Sequence, residues 1–222
     1  MNVMILAAGR GERLRPLTDS VPKPLVEVAG KALLERHLQR LARAGFRSAV
    51  INVSHLADKI TARFGDGVRQ GMRIDWSHEA EPLETAGGIA QARELLGPEP
   101  FLLLNSDIWC DYDFSRLAQH DPGTCLSHLV LVANPRHHPA GDFTLERGVI
   151  GNAPSPRYTY AGIAVVAPQL LAGIGAGQKA QLAPLWRAAA ERGLVSGELY
   201  DGSWSDVGTP QRLAELETRL NR

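Results

Sequence analysis

Short apolar runs alternate with stretches of helical periodicity through the first hundred residues, and this rhythm restricts the chain to few architectures. Asn2 to Ala7, Ser48 to Val53, Arg73 to Ser77 and Phe101 to Asn105 read as compact strands. Between them, Ala32 to Ala44 carries Leu34, Leu38 and Leu41 on one helical face, with Gly45 placed to end the helix. Ala57 to Phe64 and Ala86 to Leu96 read as further helices, the second closed by Gly97-Pro98. Parallel strands need crossovers, and crossover helices cover both faces of a sheet. The pattern therefore predicts a three-layer, mainly parallel, Rossmann-like α/β sheet.

The second half is less regular. Ser127 to Val132 and Tyr158 to Val166 read as sheet strands, with short strands at Phe143 and Val149 in the Gly/Pro/His-rich stretch between them. Leu182 to Arg192 is an amphipathic helix, and Thr209-Pro210 supplies a cap and a first-turn proline for the last one. With no repeat, low-complexity tract or linker, residues 1–222 are expected to form a single domain, with a small lobe inserted at roughly 135–157.

The first strand breaks into a loop that is chemically the most specific part of the chain. Leu6, Ala7 and Ala8 lead into Gly9 and Gly11, then come Arg13, Arg15 and a lysine, Lys23, set between Pro22 and Pro24. Glycines let the backbone approach a ligand, and consecutive amides there make an anion-binding concavity to which the cations add. The prolines imply an extended course that presents Lys23 to solvent. The loop is not a dinucleotide fingerprint, since Leu14 stands where the third glycine should be, and it has no Walker A triplet.

Bulk properties exclude several classes. Of 222 residues, 44% are hydrophobic and 22% charged, with 24 basic against 24 acidic side chains, so nothing points to nucleic acid or an anionic membrane. No apolar run approaches a membrane span, and the N-terminus lacks a signal-peptide pattern, so a cytoplasmic location is expected. Cys110 and Cys125 are too few for a disulfide framework and read as buried or incidental thiols.

Ligands of open α/β sheets bind outside the carboxyl ends of the strands, where Asn105-Ser106-Asp107 lies. A carboxylate there can hold Mg²⁺ beside a triphosphate; a cap or Asx-turn is the plainer alternative. Asp206 lies in Trp204-Ser205-Asp206-Val207-Gly208-Thr209-Pro210, which is otherwise a turn into a helix. Glu84-Thr85-Ala86-Gly87-Gly88 opens a helix with glycines, a start that permits close approach of a flat ligand. Adjacent His137 and His138 point to opposite faces of an extended segment and do not suggest a shared metal. Asp113, in Asp111-Tyr112-Asp113, stands at a cap position before Phe114.

Taken together, the run G-x-G-x-R-x-x-P-L-T with P-K-P-L, the strand-end Asp107 and the W-x-D-V-G-T segment resemble the sugar-1-phosphate nucleotidyltransferases. The resemblance extends from the first strand into the last helix, without a hexapeptide-repeat tail. Among short members it is most similar to the N-acetylmuramate-1-phosphate uridylyltransferases of bacterial cell-wall recycling. It implies that Leu6, Ala7, Ala8, Gly9, Gly11, Arg13 and Lys23 bind the triphosphate, with Arg13, Lys23 and Asp107 catalytic. Glu81 and Gly87 would read the base, and Asp107 and Asp206 would share Mg²⁺. Asn105, Gly141, Asp142, Tyr160 and Gly162 would meet the sugar phosphate in the inserted lobe. The family's E-K-P run, which holds the sugar and its phosphate in many members, is absent; Lys179 and Arg157 are the alternatives for its charge. The implied reactants are UTP and N-acetylmuramic acid 1-phosphate, in a monomer or small homo-oligomer. Mannose or glucose 1-phosphate is the alternative acceptor, and a catalytically silent nucleotide-binding subunit the alternative of another class.

Overall fold

A strand covered on both faces must be apolar along its whole length, and β1 (Val3–Leu6) meets that condition: Val3, Met4 and Ile5 have no exposure. In the computed structural model, which describes residues 1–220, β1 runs between two parallel neighbours, with Ile5 opposite Ile51 on one side and Leu104 on the other. The chain continues through a minor hairpin of β2 (Glu27–Val28) and β3 (Lys31–Ala32), α1 (Leu33–Arg43), β4 (Ser48–Val53), α2 (Ala57–Phe64) and β5 (Arg73–His78). Next come α3 (Glu84–Gln91), α4 (Arg93–Leu96), β6 (Phe101–Asn105), β7 (Ile108–Cys110), β8 (Ser127–Val132), β9 (Thr144–Glu146) and β10 (Val149–Gly151). The last elements are β11 (Thr159–Val166), α5 (Ala183–Glu191), β12 (Val195–Tyr200), β13 (Trp204–Asp206) and α6 (Pro210–Leu220).

Nine strands form the main sheet in the order β5-β4-β1-β6-β11-β8-β12-β10-β9. β11 and β10 run against the other seven, so the sheet is mixed but mostly of one direction. The β9–β10 hairpin continues the sheet at one edge. Leucines 34, 38 and 41 of α1 pack with Ile60 and Phe64 of α2 on one face, and Ile89, Leu96, Trp186 and Ala189 cover the other. Each leucine, isoleucine or phenylalanine withdrawn from water here contributes roughly 1.5–3 kcal/mol before entropy is counted. A third, smaller core joins Leu14, Val26, Val28 and Leu33 to Val207 and Leu216. It clamps the first loop and the β13–α6 junction together, which matters for the site. No helix among the described residues is long and apolar enough to cross a membrane.

Three local expectations are corrected. The loop after β1 is not extended but folds into three single 3₁₀ turns, Glu12–Leu14, Leu17–Asp19 and Lys23–Leu25. Lys23 is consequently buried rather than presented to solvent. The helix read as Ala86 to Leu96 begins at Glu84 and divides at Ala92 into α3 and α4. Asp113 does cap the turn at Phe114, accepting from the Ser115 amide at 3.0 Å.

Candidate active site

A cleft of about 790 Å³ opens at the carboxyl ends of β1, β4 and β6, a volume typical of small-molecule sites. Leu6, Ala7, Ala8, Gly9, Gly11, Arg13 and Lys23 all line it, as do Arg10 and Glu12. The amides of Ala8, Gly9, Arg10 and Gly11 donate to no protein group among the described residues, which suits an anion. A side chain at Gly9 would meet nothing within 4 Å, so its face is open to the cleft. Gly11 has a different duty. At φ 67° its missing Cβ lets Thr18 and Lys23 close on the loop, and Thr18 Oγ1 donates to its carbonyl at 2.8 Å.

Lys23 reaches from this loop to the end of β6, where Nζ donates to Asp107 Oδ2 at 2.5 Å. Asp107 is tied in turn to the C-terminal half: the Val207 amide donates to its carbonyl at 2.7 Å, and Asp206 lies opposite Ile108 in the β7–β13 ladder. Asp206 Oδ2 accepts from Arg212 Nη1 at 2.7 Å. Its Oδ1 is buried and lies 3.0 Å from His137 Nε2, but no aligned hydrogen bond forms. Two carboxylates on adjoining strand ends, one with an orphaned oxygen, fit a hard divalent cation that takes its other ligands from phosphate and water. The fold thus brings the two aspartate backbones together across about a hundred residues of sequence, with Asp107 lining the cleft and Asp206 set just outside its lining, behind Gly208.

On the opposite wall, Asn52 and Glu79 form a buried network that the sequence reading did not find. Asn52 Oδ1 accepts from the Ala7 amide at 2.8 Å and its Nδ2 donates to Glu79 Oε1 at 2.7 Å. Glu79 Oε2 accepts from the Leu83 amide at 2.9 Å. This network fixes the backbone of the first loop, at Ala7, against that of the segment opening α3, at Leu83. A polar Asn inside the apolar run Ser-Ala-Val-Ile-Asn-Val was the available signal. Glu81, Glu84, Thr85 and Lys179 also line this wall. Gly87 does not, and its amide donates to the Ala180 carbonyl at 3.1 Å.

Of the residues assigned to the sugar phosphate, Asn105 lines the cleft. Gly162 sits directly behind it, at φ 79° in a β-bulge of β11, and a Cβ there would press on the Asn105 side chain at 3.1 Å. Asp142 is committed to structure, with Oδ2 accepting from the Tyr160 amide at 2.8 Å and Oδ1 3.0 Å from His138 Nε2. Gly141 packs under Asn134 and Arg157. The Tyr160 hydroxyl is buried and unpartnered beside Trp186, and burial, then the Asp142 charge, push its pKa upward. None of Gly141, Asp142, Tyr160 or Gly162 lines the cleft itself. Arg157 spends its guanidinium on the Ala153 and Asn152 carbonyls.

A family model described as nucleotidyl transferase matches residues 2–145. The N-acetylmuramate alpha-1-phosphate uridylyltransferase of Neisseria meningitidis serogroup B is 46% identical, covering 98% of this chain and 97% of that protein. Its namesake in Caulobacter vibrioides is 37% identical, over 98% and 96%. A mannose-1-phosphate guanyltransferase beta-A of Xenopus laevis is 33% identical over 95% of this chain but 62% of its own length. Among solved structures, HddC from Yersinia pseudotuberculosis complexed with GMP-PN matches with a TM-score of 0.80 at 19% identity, over 99% of both chains. That last likeness concerns the fold alone.

Proposed function

The chain belongs to the nucleotidyl transferase family, and from that premise we propose that it transfers UMP from UTP to N-acetylmuramic acid 1-phosphate, yielding the UDP-sugar and pyrophosphate. One observation carries the chemistry: the glycine loop, Lys23 and Asp107 line one cleft, and the β7–β13 pairing sets Asp206 beside its edge, through contacts that only the fold supplies. The choice of substrates rests on likeness to the Neisseria and Caulobacter enzymes.

A sugar phosphate is already an anionic nucleophile, so no enzyme nucleophile is needed. One of its oxygens attacks the α-phosphorus as the bond to the bridging oxygen breaks and pyrophosphate departs with the electron pair. The difficulty is bringing two anions into line, which fixed positive charge and rigid placement address. The open amides of the Gly9–Gly11 loop and Arg13 hold the triphosphate, while Lys23 neutralises the transferring α-phosphate. Asp107 and Asp206 are the residues that would hold Mg²⁺, which when bound supplies charge neutralisation between nucleotide and sugar phosphates. Glu81 and Lys179 border the base, and Asn105 is the residue read for the sugar phosphate that faces the acceptor from the cleft lining.

Pyrophosphate release, measured for each nucleoside triphosphate against a panel of sugar 1-phosphates, tests this directly. The highest kcat/KM is expected for UTP with N-acetylmuramic acid 1-phosphate. A higher value with mannose or glucose 1-phosphate would reassign the acceptor, and no turnover with any pair would make the chain a silent binding subunit.

A further inference from the structure

The cleft's cations are unevenly placed. Arg10 and Arg13 belong to the first loop, Lys23 is bonded to Asp107, and Lys179 stands on the wall of Glu84 and Thr85. None of these four forms an ion pair with Asp206 among the described residues. Arg157 is consumed by two carbonyls. Beside Asp206 are His137, a neighbour with a largely open side chain, and Arg212, whose side chain is only 12% exposed.

Arg212 is an odd choice for its position. It occupies the first turn of α6, with its amide capped by Thr209 Oγ1 at 3.3 Å. A cation there opposes the positive end of the helix dipole, where an acidic residue would be favoured. Nη1 satisfies Asp206, but Nε is buried with no partner, and a buried donor left unmade costs free energy. The guanidinium lies across Gly208, which lines the cleft, and a Cβ at that glycine would collide with Nη2. A guanidinium has five donors in a planar fork suited to phosphate oxygens, and only one is spent on a hydrogen bond here.

We propose that Arg212 binds the phosphate of the incoming sugar phosphate, presenting Nη2 across Gly208 while Nη1 keeps Asp206 in place. This rests on the reading of the cleft as a sugar-1-phosphate nucleotidyltransferase site. It gives the acceptor an anion-binding group of its own, separate from the triphosphate loop, so that the two anions are held by different cations. Arg212 is then a specificity residue for a phosphate monoester acceptor.

The test compares wild type with Arg212→Gln and Arg212→Lys in the pyrophosphate-release assay, using the acceptor that wild type turns over best. Arg212→Gln should raise KM for the sugar phosphate about tenfold or more, the scale of one charge-assisted hydrogen bond. KM for the nucleotide should stay within about twofold, a split that lost folding would not produce, while any rise in the Mg²⁺ requirement reports the separate loss of Nη1 from Asp206. Arg212→Lys, which restores charge without the fork, should fall between the two and guards against a variant that merely folds poorly. An unchanged acceptor KM with a raised Mg²⁺ requirement would overturn the proposal and reduce Arg212 to an orienter of Asp206. Equal rises in both substrates' KM would overturn it too. A wild type that turns over no acceptor at all would instead sink the functional reading on which the proposal stands.

Discussion

Lys23 shows how a residue's duty changes once its partner is known. Its ammonium is bound to Asp107, 84 positions away, so burial in the loop is compensated by an ion pair that no local pattern reveals. Lys23→Ala should cut kcat by about a hundredfold or more, the usual scale for one lost electrostatic contact to the reacting phosphate. It should also lower stability by roughly 1–3 kcal/mol, because Asp107 is left without its donor. Activity assays and denaturant melts of the variant check both, and near-normal kcat would remove Lys23 from the mechanism. His37 makes a separate prediction. It is buried in α1 behind Ser106 and Ile108 with neither ring nitrogen in an aligned hydrogen bond. Burial first, then the Arg40 charge, lower its pKa from 6.5 to about 4. The unfolded chain therefore takes up the proton near pH 6.5 and the folded chain only near pH 4. The stabilising difference is complete above pH 6.5 and is lost as pH falls toward 4, a swing of about 3 kcal/mol for this one group. His128, similarly lowered to about 4 chiefly by burial, adds to the same slope. Unfolding free energies at pH 7 and 4.5 should differ less in His37→Leu than in wild type; equal slopes would contradict the assignment.

At the level of elements, β4 and β5 meet α3 through the Asn52–Glu79 network, and Gly88 is the point of closest approach. A Cβ there would stand 2.6 Å from Glu79 Oε1 and 2.7 Å from Asn52 Nδ2. Alanine for glycine inside a helix ordinarily stabilises by about 1 kcal/mol. Here the sign should reverse. Gly88→Ala should destabilise and raise KM for the nucleotide, since it pushes on the group that ties the Ala7 amide to the Leu83 amide. A variant melting above wild type with an unaltered nucleotide KM would show the network to be inert. The same scale explains what was legible in the sequence. β4, β6 and β8 follow the expected ranges because unbroken apolar runs bounded by polar residues are local signals. β12 escaped because Val-Ser-Gly-Glu-Leu-Tyr has a glycine at its centre, which normally weakens a strand. Gly197 is required there by Ile150 and the Leu129 carbonyl, which leave no space for a Cβ. The three-residue strands β7 and β13 have no pattern of their own; they exist only by pairing with one another.

Across the whole molecule, the small core of Leu14, Val26, Val28, Leu33, Val207 and Leu216 is what makes one site from the two ends of the chain. It fixes the Gly9–Gly11 loop through Leu14 and the segment after Asp206 through Val207, while the Val207 amide is bonded to the Asp107 carbonyl. The aspartates were individually visible as carboxylates at strand ends, but the adjacency of their backbones was not, since it depends on the β7–β13 pairing. In the proposed mechanism, triphosphate binding at the Gly9–Gly11 loop requires neither carboxylate, whereas joining nucleotide to acceptor through a shared cation requires both. Asp107→Asn and Asp206→Asn should therefore each abolish most Mg²⁺-dependent turnover, and the double variant should be scarcely worse than either, as expected of residues that act as a unit. Nucleotide binding without acceptor should survive in all three. Because Lys23 and Arg212 each lose a charged partner in these variants, melting temperatures must be followed beside kcat, so that loss of fold is separated from loss of chemistry. Additive losses in the double-mutant cycle, or normal Mg²⁺ dependence in Asp206→Asn, would show two independent groups in place of one metal-holding pair.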